Sequence, residues 1–270
     1  MVHNAAIPSQ YIYRSSANTD PGLRKSTNED SYLDCSHANF ATETLEHLGY
    51  LYAVADGVSG QEGGEIASHI ATDTLRMYYV LPHVAIPPDD RLRNVFLEAH
   101  QRIEEQARRH PQYRGMGTTL TTAVFSNDVL YYGHVGDSRL YVIDSRARTI
   151  EQLTKDHTLV NRYVEEGKLT PEEAAQEDSN VLSQALGCVP RIQIDAGEYT
   201  NIQAGDFVLI CSDGLSDLVS DAKIRDIVLG SPSLDDACRR LIQKANQSGG
   251  KDNITVVLVA IEKDVQEENL

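Results

Sequence analysis

The sequence predicts an α+β fold, an antiparallel sheet sandwich covered by helices, on three observations. Short runs rich in β-branched and aromatic residues are joined by tight turns, the amphipathic helical stretches come in pairs, and neither an internal repeat nor a long linker divides the 270 residues. Strands joined by tight turns pair antiparallel, whereas a doubly wound parallel sheet needs a crossover between successive strands. One domain is expected over residues 11–262, with loose tails at 1–10 and 263–270.

Each element has a local reason. Residues 11–18 and 30–33 read as strands, and 51–55 is a short apolar strand that ends abruptly in Asp56-Gly57. A helix is expected after Gly63-Gly64, because Ile66, Ala67, Ile70, Ala71, Leu75 and Tyr78 share one helical face. Pro82, Pro87 and Pro88 interrupt the chain, and Asp89-Asp90 can cap a second helix with the stripe Leu92, Val95, Phe96, Ala99, Ile103 and Ala107. Strands are expected at 118–125, 129–134 and 140–143, separated by the turns Ser126-Asn127-Asp128 and Gly136-Asp137. Residues 158–187 are polar, with Pro171 ahead of Glu172-Glu173 as a helix start, and read as an insertion over one edge of the sandwich. Strands at 191–199 and 207–211, helices at 222–229 and 234–246, and a strand at 254–261 complete the chain.

Composition excludes several classes. The net charge is −16, with no basic face to meet a polyanion, so no nucleic acid is expected. No apolar run is long enough for a membrane span, and the first residues lack a signal-peptide pattern. Cys35, Cys188, Cys211 and Cys238 form no C-x-x-C pair, which argues against a zinc site or disulfide framework and for buried free thiols in a cytoplasmic protein.

Four acidic sites share one grammar, an apolar strand beside an aspartate flanked by small or amide residues: Asn28-Glu29-Asp30, Ala55-Asp56-Gly57, Ser212-Asp213-Gly214 and Lys251-Asp252-Asn253. Asp137, in Gly136-Asp137-Ser138-Arg139, is a fifth. One Asp-Gly alone is a turn signal. Carboxylates gathered at one end of a sandwich repel each other unless cations neutralise them, and Mg²⁺ or Mn²⁺, which prefer oxygen ligands, would do so. No G-x-S-x-G or cysteine phosphate loop offers a protein nucleophile.

In this order the motifs resemble the metal-dependent protein phosphatases, the type 2C Ser/Thr phosphatases, and most closely their bacterial branch. The resemblance spans residues 11–261. It rests on Thr19-Asp20-Pro21-Gly22 with Asn28-Glu29-Asp30, residues 54–60 (VADGVSG), Gly117-Thr118-Thr119, Gly136-Asp137-Ser138-Arg139, Asp156-His157-Thr158, residues 212–217 (SDGLSD) and Asp252-Asn253-Ile254-Thr255.

The resemblance implies an αββα sandwich, two mostly antiparallel sheets flanked by helix pairs, and hydrolysis of phosphoserine or phosphothreonine by a hydroxide bridging two tightly held Mn²⁺ or Mg²⁺ ions. It implies that Asp56 bridges the pair, that the Gly57 carbonyl serves the first ion, and that Asp213 and Asp252 serve the second. Glu29 and Asp30 then sit at the surrounding waters, Asp137 with Asp213 forms a weaker third site, Asn253 orients Asp252, and 158–187 is a mobile flap. The expected partners are proteins phosphorylated by a Ser/Thr kinase, met by a monomer.

The chain departs from the family at three places. Where members carry a phosphate-gripping arginine four residues before the Glu29 position, it has Lys25, preceded by Arg24. In an extended segment only one of the two faces the metals, and the spacing selects Lys25. Val58 replaces a histidine that some members carry as a general acid, and the flap has Gln176, Glu177 and Ser179 ahead of Asn180. His157 is expected to order the start of the flap, His134 to be packed and Cys211 to be inert. Two other functions compete: a catalytically weak phosphatase fold that binds a kinase or phosphoprotein, and a hydrolase of small phosphate esters.

Overall fold

A computed structural model describes residues 9–38, 40–58, 63–80, 86–174, 176–177 and 181–264. Pro82, Ser59-Gly60, Ser179, Asn180 and most of both expected tails lie outside the described residues.

Two five-stranded sheets form the centre. In the first the order is β1 (Tyr11–Asp20), β10 (Ile254–Lys263), β9 (Phe207–Cys211), β6 (Arg139–Asp144) and β7 (Thr149–Gln152). In the second it is β2 (Asp30–Asp34), β3 (Tyr50–Asp56), β4 (Leu120–Ser126), β5 (Val129–Val135) and β8 (Asp195–Tyr199). Every pairing is antiparallel.

Helices cover both outer faces, so central strands are apolar on both sides rather than alternating. In β3, Tyr52 and Val54 face the core between the sheets, while Ala53 and Ala55 face α2 (Gly64–Val80) and α3 (Pro88–Arg109). On the other side β6, β9 and β10 pack on α7 (Asp221–Leu229) and α8 (Leu234–Gln247). The layers are therefore helix pair, sheet, sheet, helix pair, as the resemblance implied.

Local signals explain most boundaries. Helix α3 buries Leu92, Val95, Phe96, Ala99 and Ile103. Its start differs from the expected Asp cap: Pro88 opens the first turn, with no side-chain cap, and Asp89 and Asp90 sit in that turn where the helix dipole favours them. Several short elements were missed in the sequence, α1 (Thr42–Leu48) and β7 among them. Helix α1 is short and closed by Gly49, and the edge strand β7 is half-exposed and carries little apolar signal. The strand expected at 191–199 forms only from Asp195. The insertion holds two short helices, α4 (Leu159–Glu165) and α5 (Pro171–Ala174), the second starting at the expected proline. Among the described residues no helix is long and apolar enough to cross a membrane.

Candidate active site

Strand ends and loops from both sheets converge on one cleft of about 890 Å³, lined by Asp56, Gly57, Asp137, Asp213, Asp217 and Asp252 among others. Four chain segments deliver these groups. Asp56 ends β3, and Asp137 sits in the β5–β6 turn. Asp213 opens the short helix α6 (Asp213–Ser216) behind β9, Asp217 follows one turn later, and Asp252 lies in the loop just ahead of β10, separated from it by Asn253. Asp30, from β2, is the direct cross-strand partner of Asp56. Like charges opposite one another destabilise a sheet, so this pairing needs a compensating charge.

The electrostatics show how unfavourable the bare cluster is. Removal from water, followed by repulsion from Asp30, Asp213, Asp137 and Asp252, holds Asp56 well above the usual carboxylate range. Asp213 is raised in the same way, by lost hydration and then by Asp137, Asp217 and Asp252. Burial pushes Asp30 up to about 6 and Asp137 to about 7, with Asp156 and Asp217 adding to the latter. Ser212 Oγ donates to Asp30 Oδ2 at 2.8 Å, but Asp30 Oδ1 is buried without a hydrogen-bond partner.

Divalent cations fit this donor set. It is all oxygen, it is over-charged, and just behind it lies the orphaned buried oxygen of Asp30. Among the described residues no three His, Cys, Asp or Glu side chains close into a cage for one ion. Mg²⁺ needs no such cage, since it keeps several waters and is bound through one or two carboxylates, and carboxylates spaced around a wet cleft suit it.

The supporting contacts refine the expected roles. Gly57 is required by close approach: a Cβ there would lie 2.5 Å from the backbone of Gly64 and 2.7 Å from the Glu29 carbonyl. Glu29 and Asp30 do not line the cleft. Asp30 lies buried beside Asp56, and Glu29 lies against Gly64 at the start of α2. Asn253 acts mainly on another segment than the one expected. Its backbone N–H donates to Asp252 Oδ1 at 2.8 Å, but its side chain donates to the carbonyls of Pro21 and Thr27 and accepts from the Glu29 N–H. It thereby staples the 21–29 loop to the start of β10.

That loop turns at residues 22–24 rather than running extended, so strand alternation is not what separates Arg24 from Lys25. Lys25 still faces the carboxylates, with Nζ 2.9 Å from Asp252 Oδ1, while Arg24 is exposed. Burial opposes the Lys25 charge, but the hydrogen bond to Asp252 and the charges of Asp252, Glu29 and Asp56 outweigh it and raise its pKa.

The histidines are structural. His134 is fully buried between Thr121 Oγ1 and the Lys155 carbonyl, and burial pushes it down to about 3. His157 takes the Gly136 N–H on Nδ1, pairs with Asp195 through Nε2, and receives the Ser183 N–H on its carbonyl, tying both ends of the insertion together. Cys211 is buried and pushed up to about 12 by that burial, whereas Cys188, expected to be buried, is exposed at the cleft.

Four residues at or beside the cleft stand in the quoted sequence motifs but were given no role from sequence: Asp217, Lys251, Thr119 and Ser138. Asp217 could have been found, because it lies four residues after Asp213 and so on the same helical face. What the others touch becomes visible only once the sheets are stacked.

Comparison with known proteins agrees with this geometry. The protein phosphatase 2C family model matches residues 25–258. Protein phosphatase PhpP of Streptococcus pneumoniae is 37% identical over 250 residues, covering 91% of this chain and 96% of its own. The crystal structure of the serine/threonine phosphatase Stp1 from Staphylococcus aureus superposes with a TM-score of 0.83 at 30% identity, over 97% of this chain and 100% of that one. The catalytic domain of the serine threonine protein phosphatase PstP, solved with two manganese ions, gives 0.76 at 33% identity over 94% of this chain and 100% of that one. With a family match over most of its length and the fold to go with it, the chain belongs to the protein phosphatase 2C family.

Proposed function

We propose that this chain is a metal-dependent phosphatase of phosphoserine and phosphothreonine in proteins, working in the cytoplasm as a monomer on the products of a Ser/Thr kinase. The observation that carries the reading is the convergence of Asp56, Asp137, Asp213 and Asp252 on one cleft, with Lys25 paired to Asp252 beside it. The relative solved with two manganese ions supports a metal pair, and in this reading Asp56, the Gly57 carbonyl, Asp213 and Asp252, all lining the cleft, hold it. Asp137 and Asp213 then form a weaker third site, and Glu29 and Asp30, set back from the cleft wall beside Asp56 and Gly64, sit at the waters around the pair.

When bound, such ions supply Lewis acidity towards phosphate oxygens and a water acidic enough to be a nucleophile near neutral pH. The protein's own residues do the rest. Lys25, held at the cleft by its ion pair with Asp252, brings the ammonium charge that attracts a phosphate dianion into this carboxylate-rich site. Asn253 fixes the loop that carries Lys25, so the cation and the carboxylates keep a set distance. Val58 supplies no proton, so the leaving alkoxide takes its proton from water in the cleft. The unpaired thiols of Cys35, Cys211 and Cys238 suit a reducing compartment.

A binding-only role would be favoured by loss of Asp56, Asp213 or Asp252, yet all three line the cleft. The test compares a phosphothreonine peptide with mononucleotides as substrates in Mn²⁺. Turnover of the peptide alone is expected. Turnover of nucleotides alone, or of neither, contradicts the proposal.

A further inference from the structure

Strand β3 leaves the regular ladder at its last residue. Asp56 stands opposite Thr119 in the β3–β4 register, and Thr119 N–H donates to the Asp56 carbonyl at 2.8 Å as a ladder would have it. The return bond is different. The Asp56 N–H goes to the Thr119 hydroxyl, at 2.9 Å, and not to a backbone carbonyl. The same hydroxyl lies 2.8 Å from Ser138 Oγ, next to Asp137. The turn carrying Asp137 also rests on this side chain: a Cβ at Gly136, which has φ +115, would lie 2.5 Å from Thr119 Cβ and Cγ2. Both Thr119 and Ser138 are almost wholly buried, at 1% and 0% exposure.

We propose that Thr119 is a positioning residue for metal uptake, its hydroxyl and the Ser138 hydroxyl forming the joint that sets the spacing between Asp56 in one sheet and Asp137 in the turn leading to the other. The proposal rests on the metal-site reading above. A valine has the shape of threonine but cannot accept a hydrogen bond. Thr119→Val therefore orphans the Asp56 N–H and breaks the tie to Ser138, without removing a carboxylate. Serine keeps the hydroxyl and loses only the methyl that supports Gly136.

The test is a calorimetric Mn²⁺ titration of the EDTA-stripped protein, with the melting temperature of the metal-free form measured alongside. Thr119→Val should weaken Mn²⁺ binding by about 10- to 100-fold, the usual effect of removing a group that orients metal ligands. Thr119→Ser should recover most of that loss. Ser138→Ala should weaken binding in the same direction, and the double variant should lose less than the two single losses combined, because both act through one joint. Ser138→Ala leaves the Asp56 N–H partnered, so it carries the test if Thr119→Val does not fold. A lower melting temperature with unchanged Mn²⁺ affinity, or losses that simply add, would overturn the proposal. Wild-type protein that takes up no Mn²⁺ would instead overturn the metal-site reading itself.

Discussion

Asp137→Asn offers a test of the carboxylate cluster that needs no substrate. The side chain is 9% exposed, and burial together with Asp156 and Asp217 lifts its pKa from 3.8 to about 7. A carboxyl whose folded pKa is raised binds its proton more tightly when folded. Stability therefore falls as pH rises from the unfolded value, and the full penalty is reached above the folded one. Each pH unit in that interval is worth about 1.4 kcal/mol, so the raised pKa of Asp137 costs the metal-free protein on the order of 4 kcal/mol at pH 8 and about 2 kcal/mol at pH 5, where the folded carboxyl is still protonated. Asparagine has nearly the same shape and no charge. In EDTA, urea unfolding should show Asp137→Asn more stable than wild type at both pH values, by roughly twice as much at pH 8. The melting temperature at pH 8 should rise by up to about 10 °C for a domain of this size. Saturating Mn²⁺ should shrink or reverse the difference, because wild type gains more from binding. A gain independent of pH, or a less stable variant at pH 8, would refute the argument.

Other outcomes follow from the same site. EDTA should abolish turnover, Mn²⁺ or Mg²⁺ should restore it, and Ca²⁺ should inhibit, since its looser coordination positions water poorly; full activity in metal-free buffer would contradict the scheme. Asp137→Ala should retain the tight metal pair by calorimetry yet turn over phosphopeptides slowly, and loss of the tight pair would remove the case for a separate third site. Lys25→Ala should raise KM for a phosphopeptide while Arg24→Ala leaves it nearly unchanged. Lys25→Arg, which offers a fork to the phosphate, should tighten binding by about 1 kcal/mol; the reverse ranking of Arg24 and Lys25 would mean that the loop presents the other cation.

What could be read from the sequence was set by how local each signal is. Strand β3 was legible because five apolar residues run straight into Asp56-Gly57, and α3 because its stripe repeats at helical spacing. Strand β7 was not, since TIEQ is a half-exposed edge with no apolar run, and its existence depends on pairing with β6. The same division holds at the site. Asp56, Asp137, Asp213 and Asp252 each carry a local mark in the small or amide residues beside them. The tie from the Asn253 side chain to Pro21 spans 232 positions, and the joint between Asp56, Thr119 and Ser138 crosses from one sheet to the turn that leads to the other. Such contacts leave no local trace. Lys25 was placed by spacing and does face the carboxylates, but on a turn and not on a strand.

The account depends most on Asp56 as the group shared by two ions. The most direct measurement titrates EDTA-stripped wild type and Asp56→Asn with Mn²⁺ by calorimetry and follows phosphothreonine-peptide turnover on the same samples. Wild type should take up two tightly held ions. Asp56→Asn should stay folded, fail to hold the pair, and keep far less than about a tenth of the turnover, as expected on losing a group that organises the nucleophile. A variant that still binds two ions tightly, or retains more than that activity, would contradict the shared-ligand role of Asp56.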